Sequence, residues 1–166
     1  IFGTTGGVME AALRAAYEII TGESLKDVVF EKVRGEKGIK KAEIDLGKEK
    51  IKVAVAHGLG NAKKIMEDIK NGKSDYQFVE VMACPGGCIM GGGQPIKSSK
   101  IRMNVDVRRK RAEAMYSIDE KSTIRKSQDN PVLKQIYKEY IGKPGEEKAH
   151  RLLHTHYGKK TKYQIF

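Results

Sequence analysis

The most constraining feature of this 166-residue sequence is a strand-like run that leads directly into a loop rich in cysteine and glycine. Phe78 to Met82 is apolar except for Glu80 and favours a β-strand, and residues 83–95 contain both cysteines, Cys84 and Cys88, with five glycines. Glycine lets backbone N–H groups approach the sulfur atoms of a metal cluster closely. Because iron–sulfur clusters and structural zinc sites usually take about four protein ligands, the loop indicates part of a metal site.

Two other interpretations of this loop stay open on the residues alone. In one, it is a flexible loop with two buried, inert cysteines, since free cysteine often behaves as a small apolar residue. In the other, Cys84 and Cys88 form half of a zinc site. A secreted disulfide framework is disfavoured because the two cysteines lie so close together in the sequence. We therefore expect reduced thiolates and a cytoplasmic location.

The composition predicts a globular domain with a hydrophobic core. Apolar residues make up 39% and charged residues 32% of the chain, and no apolar run reaches the length of a membrane span. The formal net charge is +11, but Lys and Arg are mixed with acidic residues, and residues 108–111 are the densest basic cluster. Nucleic-acid binding, a solvated lysine-rich surface and attraction to acidic proteins could each explain this charge. We favour the solvated surface and expect neither a nucleic-acid partner nor a membrane span.

The hydrophobic periodicity predicts an α/β fold of mixed α+β type, in which helices cover a small mixed four-stranded sheet and the C-terminal region is helical. The predicted strands are Val28–Val33, Lys41–Leu46, Ile51–Ala56 and Phe78–Met82. The predicted helices are Val8–Ile20, Ala62–Lys70, Val105–Tyr116, one that begins at Asn130-Pro131 and one that begins at Glu146. Threonines are expected to cap the first helix, and residues 117–130 are expected to form a loop.

The histidines are weaker candidates for a site. His150 and His154 lie four residues apart on a predicted helix, with His156 nearby, a spacing that can bind a metal. The glutamate of the zincin pattern is missing, so we interpret them as packing or surface histidines. His57 opens a glycine-containing turn that lacks the Lys-Ser/Thr of a phosphate-binding loop, and we interpret it as part of a strand-to-helix turn.

Three stretches resemble, in the same order, the iron-only or [FeFe] hydrogenase family. Glu80–Pro95 closely resembles the third active-site signature of that family, and Phe2–Arg14 resembles the segment that precedes it. The ending resembles the family's small-subunit region through Asn130-Pro131, Tyr137, Lys143-Pro144-Gly145 and residues 149–154. The resemblance implies that residues 1–116 are the C-terminal half of the H-cluster domain. It also implies that residues 117–166 are a helical, small-subunit-like region that packs on it.

The resemblance implies an enzyme of anaerobic hydrogen metabolism that interconverts protons, electrons and H₂. Its H-cluster joins a [4Fe–4S] cubane to a two-iron unit with CO, cyanide and a bridging dithiolate. The resemblance implies that Cys84 ligates the cubane, and that Cys88 ligates it and bridges to the two-iron unit. Met82 would pack against the two-iron unit, so Cys88 and Met82 are the catalytic candidates. Phe2 and Gly3 would line the same pocket, and the first helix would begin near this anionic cofactor.

The family's first two signatures, which carry the other cubane cysteines and the proton-relaying cysteine, are absent from this sequence. We therefore expect the C-terminal half of a catalytic domain, inactive and without its cluster when alone. The expected partners are the N-terminal remainder of the hydrogenase and, through it, ferredoxin or another electron carrier. We also expect residues 83–95 to be mobile without metal. The alternatives are a hydrogenase-like iron–sulfur protein for assembly or sensing without hydrogen turnover, and a basic interaction module with incidental cysteines.

Overall fold

The computed structural model describes residues 1–25, 28–35, 37–47 and 49–158. These residues belong to two compact units that separate between Ser127 and Gln128. The functional division that we predicted between residues 116 and 117 stays a prediction. Within the described ranges, no helix combines the length and the apolar character that crossing a membrane requires.

A three-stranded mixed sheet forms the centre of the first unit, as far as the chain is described. β1 (Ile39–Asp45) pairs antiparallel with β2 (Lys50–His57), and β2 pairs parallel with β3 (Phe78–Met82). The mixed α/β fold class, the hairpin and the last strand are confirmed. β2 is the central strand, with a paired strand on each side, and residues 53–57 at its C-terminal end are buried.

Helices cover both faces of the sheet. α1 (Gly7–Thr21) packs Met9 and Leu13 against Val53 and Val55 of β2. α2 (Leu59–Lys70) packs Ile65 against Ala54 and Ala56, which alternate with these valines along β2. Successive side chains of a strand point to opposite faces, so this alternation gives each helix its own side of the sheet.

The predicted strand Val28–Val33 is wrong. Its last three residues form a 3₁₀ turn, Glu31–Val33, and the described sheet contains only β1 to β3. The apolar side chain of Val33 is buried in the core beneath α1. The carbonyl of Val28 accepts a hydrogen bond of 2.7 Å from Arg14 Nε. The carbonyl of Val28 and the side chain of Val33 thus contact α1, and the segment does not join the described sheet.

A short helix that was not predicted precedes the helix expected at Val105–Tyr116. The two helices are α3 (Ser99–Asn104) and α4 (Val107–Lys121), so the predicted loop 117–130 is shorter than expected. Asp106 separates them, because its carboxylate accepts a hydrogen bond of 3.0 Å from Arg109 N and caps α4. α4 thereby begins two residues later than predicted and runs five residues further.

The second unit consists of short helices. α5 (Pro131–Ile136) continues into a π-helical turn, Tyr137–Ile141, and α6 (Glu147–Leu153) follows. The predicted start of α5 is confirmed, since Asn130 Oδ1 accepts a hydrogen bond of 2.9 Å from the N–H of the second helical residue. Gly142, with a φ of 92°, ends the turn.

Candidate functional site

The cysteine–glycine loop, residues 83–95, begins where β3 ends. The last residue of β3, Met82, accepts a hydrogen bond of 2.8 Å from Gly58 N through its carbonyl. Cys84 is half-buried, and its carbonyl accepts a hydrogen bond of 3.0 Å from Gly87 N. Cys88 is exposed and begins a short 3₁₀ turn. The two thiols therefore flank one tight turn of the chain.

The loop packs backbone to backbone against residues 3–5. Ile89 N donates to Gly3 O at 3.0 Å, and Thr5 N donates to Gly86 O at 3.2 Å. A Cβ on Gly87, whose φ is 98°, would lie 2.6 Å from Gly3 O and 2.8 Å from Thr5 N. Only glycine allows this approach, so the structure brings Gly3 together with the cysteine loop.

The other predicted pocket residues lie near the ends of these segments. Phe2 adjoins Gly3, and its side chain is 56% exposed. Met82 is half-buried and precedes Cys84 by two positions. The roles of Phe2, Gly3, Met82, Cys84 and Cys88 toward a cofactor stay predictions.

The predicted threonine cap of α1 is wrong, because a distant carboxylate caps this helix. Glu80 Oε1 accepts from Gly6 N at 2.7 Å, and Glu80 Oε2 accepts from Met9 N at 2.6 Å. Thr4 Oγ1 instead donates to the carbonyl of Ile1 at 2.8 Å. The carboxylate of Glu80 therefore interacts with the N-terminus of α1. That this helix also begins near an anionic cofactor stays a prediction.

A buried lysine fixes the same segment from the other side. Lys40 Nζ donates to Thr5 O at 2.9 Å and to Gly35 O at 3.0 Å. Burial lowers the pKa of Lys40 to about 8, although the negative charge of Glu80 opposes this shift. Lys40 was not predicted, because the expected strand began one residue later, at Lys41. Extending the alternation back by one residue places Lys40 on the same face as the buried Ile44, and this signal could have found it.

Two side chains from outside the loop also bind its backbone. His57 Nδ1 accepts a hydrogen bond of 3.0 Å from Gly86 N. Arg111 on α4 donates from Nη1 to Ile89 O and from Nη2 to Pro95 O, each at 2.8 Å. Neither contact was expected from the sequence. A signal for His57 was present, because the parallel pairing of two strands brings their carboxyl ends to one edge of the sheet.

A cleft of about 750 Å³ adjoins the loop. Its lining includes Met90, Gly91, Arg102, Arg108 and Arg111. The loop is therefore accessible beside several basic side chains.

The C-terminal histidines lie on the surface, as we interpreted them. The rings of His150 and His154 stack with centroids 4.5 Å apart, and the ring of His156 lies 5.9 Å from that of His150. In the part of the chain that the structure describes, no three His, Cys, Asp or Glu side chains converge as a metal site.

The described residues fit one side of an iron–sulfur cluster. They offer two thiols on one turn, and the glycine of that turn sits where a Cβ would collide with backbone. Thiolate sulfur is the ligand that such clusters take, and the two further ligands that are usual would have to come from elsewhere. The donor set is therefore compatible with a cubane but does not complete one.

Comparisons with known proteins agree with this chemistry. A family model described as "Iron only hydrogenase large subunit, C-terminal domain" matches residues 1–92, and one described as "Iron hydrogenase small subunit" matches residues 105–160. NADP-reducing hydrogenase subunit HndD of Solidesulfovibrio fructosivorans is 49% identical over 160 residues, which are 96% of this chain and 26% of that protein. Cytosolic Fe-S cluster assembly factor narfl of Danio rerio is 35% identical over 138 residues, covering 83% of this chain and 30% of that protein.

A solved structure has the same fold. [FeFe]-hydrogenase HydA1 from Chlamydomonas reinhardtii superimposes with a TM-score of 0.70 and 43% sequence identity, covering 95% of this chain and 45% of that one. The chain thus spans about a quarter of the length of HndD and less than half of the solved hydrogenase. Iron–sulfur clusters and the H-cluster are the cofactors of these hydrogenases in general. The chain belongs to the iron-only hydrogenase family.

Proposed function

We propose that this chain is part of an iron-only hydrogenase that interconverts protons, electrons and H₂ at an H-cluster. In this proposal, Cys84 and Cys88 would supply two of the cubane ligands, and Cys88 would also hold the two-iron unit. The observation that carries the proposal is the turn between the two cysteines, which packs on residues 3–5 and tolerates no side chain at Gly87. The H-cluster would supply the electron transfer and the hydrogen chemistry.

The chain's own residues would hold and shield this cofactor. Cys84 and Cys88 would bind it as thiolates, and the half-buried thioether of Met82 would exclude water from it. Gly3 would let the backbone approach closely, and Phe2, now 56% exposed, would be covered once the remaining half of the domain packs on it. In this proposal, residues 1–116 belong to the H-cluster domain and residues 117–166 to the small-subunit-like region.

The remaining parts of the proposal concern partners. The N-terminal remainder of the hydrogenase would supply the other cubane cysteines and reach ferredoxin or another electron carrier in the cytoplasm. The chain alone would turn over no hydrogen, because half of the usual thiolate ligands are missing.

Anaerobic reconstitution tests the ligand assignment. The chain is combined with the N-terminal part of a matching hydrogenase, in a host that makes the two-iron unit, and iron, sulfide, EPR signals and H₂ evolution are measured. We expect Cys84→Ser and Cys88→Ser each to lower iron and sulfide content at least tenfold. Met103→Ala, at a methionine that is 84% exposed, is the control. Wild-type iron content in both cysteine variants would contradict the assignment.

A second candidate function is iron–sulfur cluster assembly without hydrogen turnover. The observation that favours it is the 35% identity to the Danio rerio protein, whose name describes an assembly factor. Both functions use the thiolates of Cys84 and Cys88, but only a hydrogenase needs the two-iron unit. A reconstituted protein that binds a cubane and evolves no H₂ in the competent host would support assembly over hydrogenase activity.

A further inference from the structure

We propose that His57 and Arg111 are positioning residues, which hold the cysteine–glycine loop in its binding conformation before a metal arrives. The inference rests on the proposed function only for the identity of the metal group that the loop binds. It differs from our expectation that residues 83–95 are mobile without metal. Neither side chain needs to contact the metal, because each acts through the backbone of the loop.

His57 holds the turn between the cysteines. It is the last residue of β2 and is paired with Met82 in the parallel register, so it lies beside the start of the loop. Its side chain is buried, and its backbone N–H donates to Gly38 O at 3.1 Å, which fixes its position. Nδ1 accepts from the N–H of buried Gly86, a donor that would otherwise lose its partner on leaving water.

Arg111 holds the segment that follows Cys88. Its two Nη atoms donate to Ile89 O and Pro95 O, the carbonyls on either side of the glycine run 91–93. The planar guanidinium can bind two acceptors at once from a fixed orientation, whereas the single ammonium of a lysine lacks this fork. Arg111 therefore closes the second part of the loop as His57 closes the first.

The helix that carries Arg111 is itself fixed. Asp119, further along α4, accepts hydrogen bonds of 2.8 Å from both Nη atoms of Arg14 on α1, in a buried bidentate pair. α4 thus has an anchor that is independent of the cysteine loop. Because α4 lies in the region matched by the small-subunit model, that region contributes directly to the cysteine loop of the large-subunit region.

Together the two contacts restrain Cys88 from both sides. Gly86 precedes it by two residues and Ile89 follows it directly, while β3 holds the chain before Cys84. A loop that is already ordered loses less conformational entropy when it binds metal, so these contacts should raise the affinity of the loop for metal.

The test uses the full metal-free chain under reducing conditions. Hydrogen exchange of residues 83–95 and the affinity for Cd²⁺, followed through thiolate absorption, are measured for His57→Ala, His57→Asn, Arg111→Ala and Arg111→Lys. Asn keeps an acceptor, Oδ1, at the same number of bonds from the backbone as Nδ1 of His57. The control is Arg109→Ala, on the same helix, where the side chain is 65% exposed and pairs with Glu113.

We expect both alanine variants to exchange at least tenfold faster in residues 83–95 and to bind Cd²⁺ at least tenfold more weakly. His57→Asn should restore wild-type behaviour, Arg111→Lys should be intermediate, and the control should be unchanged. Protection of the β2 amides at residues 53–56 reports on global folding and identifies any variant that has unfolded. If an alanine variant is unfolded, the conservative variant at the same position tests the proposal instead. Loop exchange and Cd²⁺ affinity equal to wild type in folded His57→Ala and Arg111→Ala would overturn the proposal.

The two proposals can fail separately. If the alanine variants lose loop protection but the reconstituted wild type binds no cluster, positioning stands and the proposed function fails. If all variants assemble a cubane with the wild-type EPR spectrum and wild-type loop exchange, positioning fails and the proposed function stands.

Discussion

Gly87 determines how closely the cysteine loop approaches the N-terminal segment. Its φ of 98° lies in the left-handed region, and an added Cβ would meet three backbone atoms at 2.6–3.0 Å. Backbone cannot rotate away as a flexible side chain can, so the loop itself would have to move. The position of the two thiols relative to the N-terminal segment therefore depends on glycine at position 87.

We expect Gly87→Ala to lower the free energy of unfolding by about 2–5 kcal/mol, since overpacking costs about 1–3 kcal/mol and the left-handed backbone about 1–2 kcal/mol more. Urea unfolding followed by circular dichroism measures the change. The matched control is Gly92→Ala in the same loop, where an added Cβ would meet nothing within 4 Å. Equal urea midpoints for the two variants would contradict this prediction.

At the scale of elements, β3 determines how α1 begins. Glu80 lies 74 residues from Gly6 in the sequence, yet its carboxylate accepts the hydrogen bonds of the first turn. The strand that leads to Cys84 thus also holds the segment on which the cysteine loop packs. One strand positions both sides of the candidate site.

Glu80→Gln tests this cap. The amide of glutamine has one acceptor oxygen where the carboxylate has two, and it carries no charge to interact with the helix dipole. We expect the free energy of unfolding to fall by about 1–3 kcal/mol, measured by chemical denaturation. Glu67→Gln on α2, where the side chain is 57% exposed, serves as the control and should change stability little. A Glu80 variant as stable as this control would rule out the cap.

Elements that depend on local sequence were predictable, whereas contacts between distant residues were not. β3 lies at its predicted bounds, the two hairpin strands lie within two residues of theirs, and Asn130 caps α5 through a contact within three residues. The Glu80 cap and the Arg111 contacts join residues far apart in the chain, and no local pattern indicates them. The cysteines were found from composition, whereas the side chains that hold their loop required the fold.

At the scale of the first unit, a buried charge network joins α1 to α4. Arg14 binds both Glu10 and Asp119, while Arg34 also binds Glu10 and Arg125 also binds Asp119. Burial alone would raise the pKa of Asp119, but hydrogen bonds from Arg14 and Arg125 outweigh it and hold the pKa well below its usual range. The network is therefore at full strength near neutral pH.

The acid stability of the chain follows from Asp119. A carboxyl whose pKa is depressed by folding stabilises the fold above its unfolded pKa of about 3.9, and this contribution is lost as the pH falls toward the folded pKa. We expect Asp119→Asn to cost about 3–5 kcal/mol at pH 7, because it leaves buried arginines incompletely paired. The difference in the free energy of unfolding between Asp119→Asn and the wild type should become smaller as the pH falls below about 4.

Urea titrations between pH 7 and pH 3 measure this dependence. The control is Asp68→Asn, an exposed residue whose pairing with Lys41 at 3.5 Å should contribute little at any pH. A stability difference for Asp119→Asn that stays constant across this range would contradict the expected pKa.

The contacts of Arg111 also have a consequence for protein synthesis. Arg111 lies 22 residues after Ile89, and a chain leaves the ribosome with its N-terminal part first. Both cysteines therefore emerge before the side chain that closes their loop, and Asp119, which anchors α4, emerges later still. Under the proposed function, capture of metal by a correctly shaped loop would thus be a late event, which follows the translation of α4.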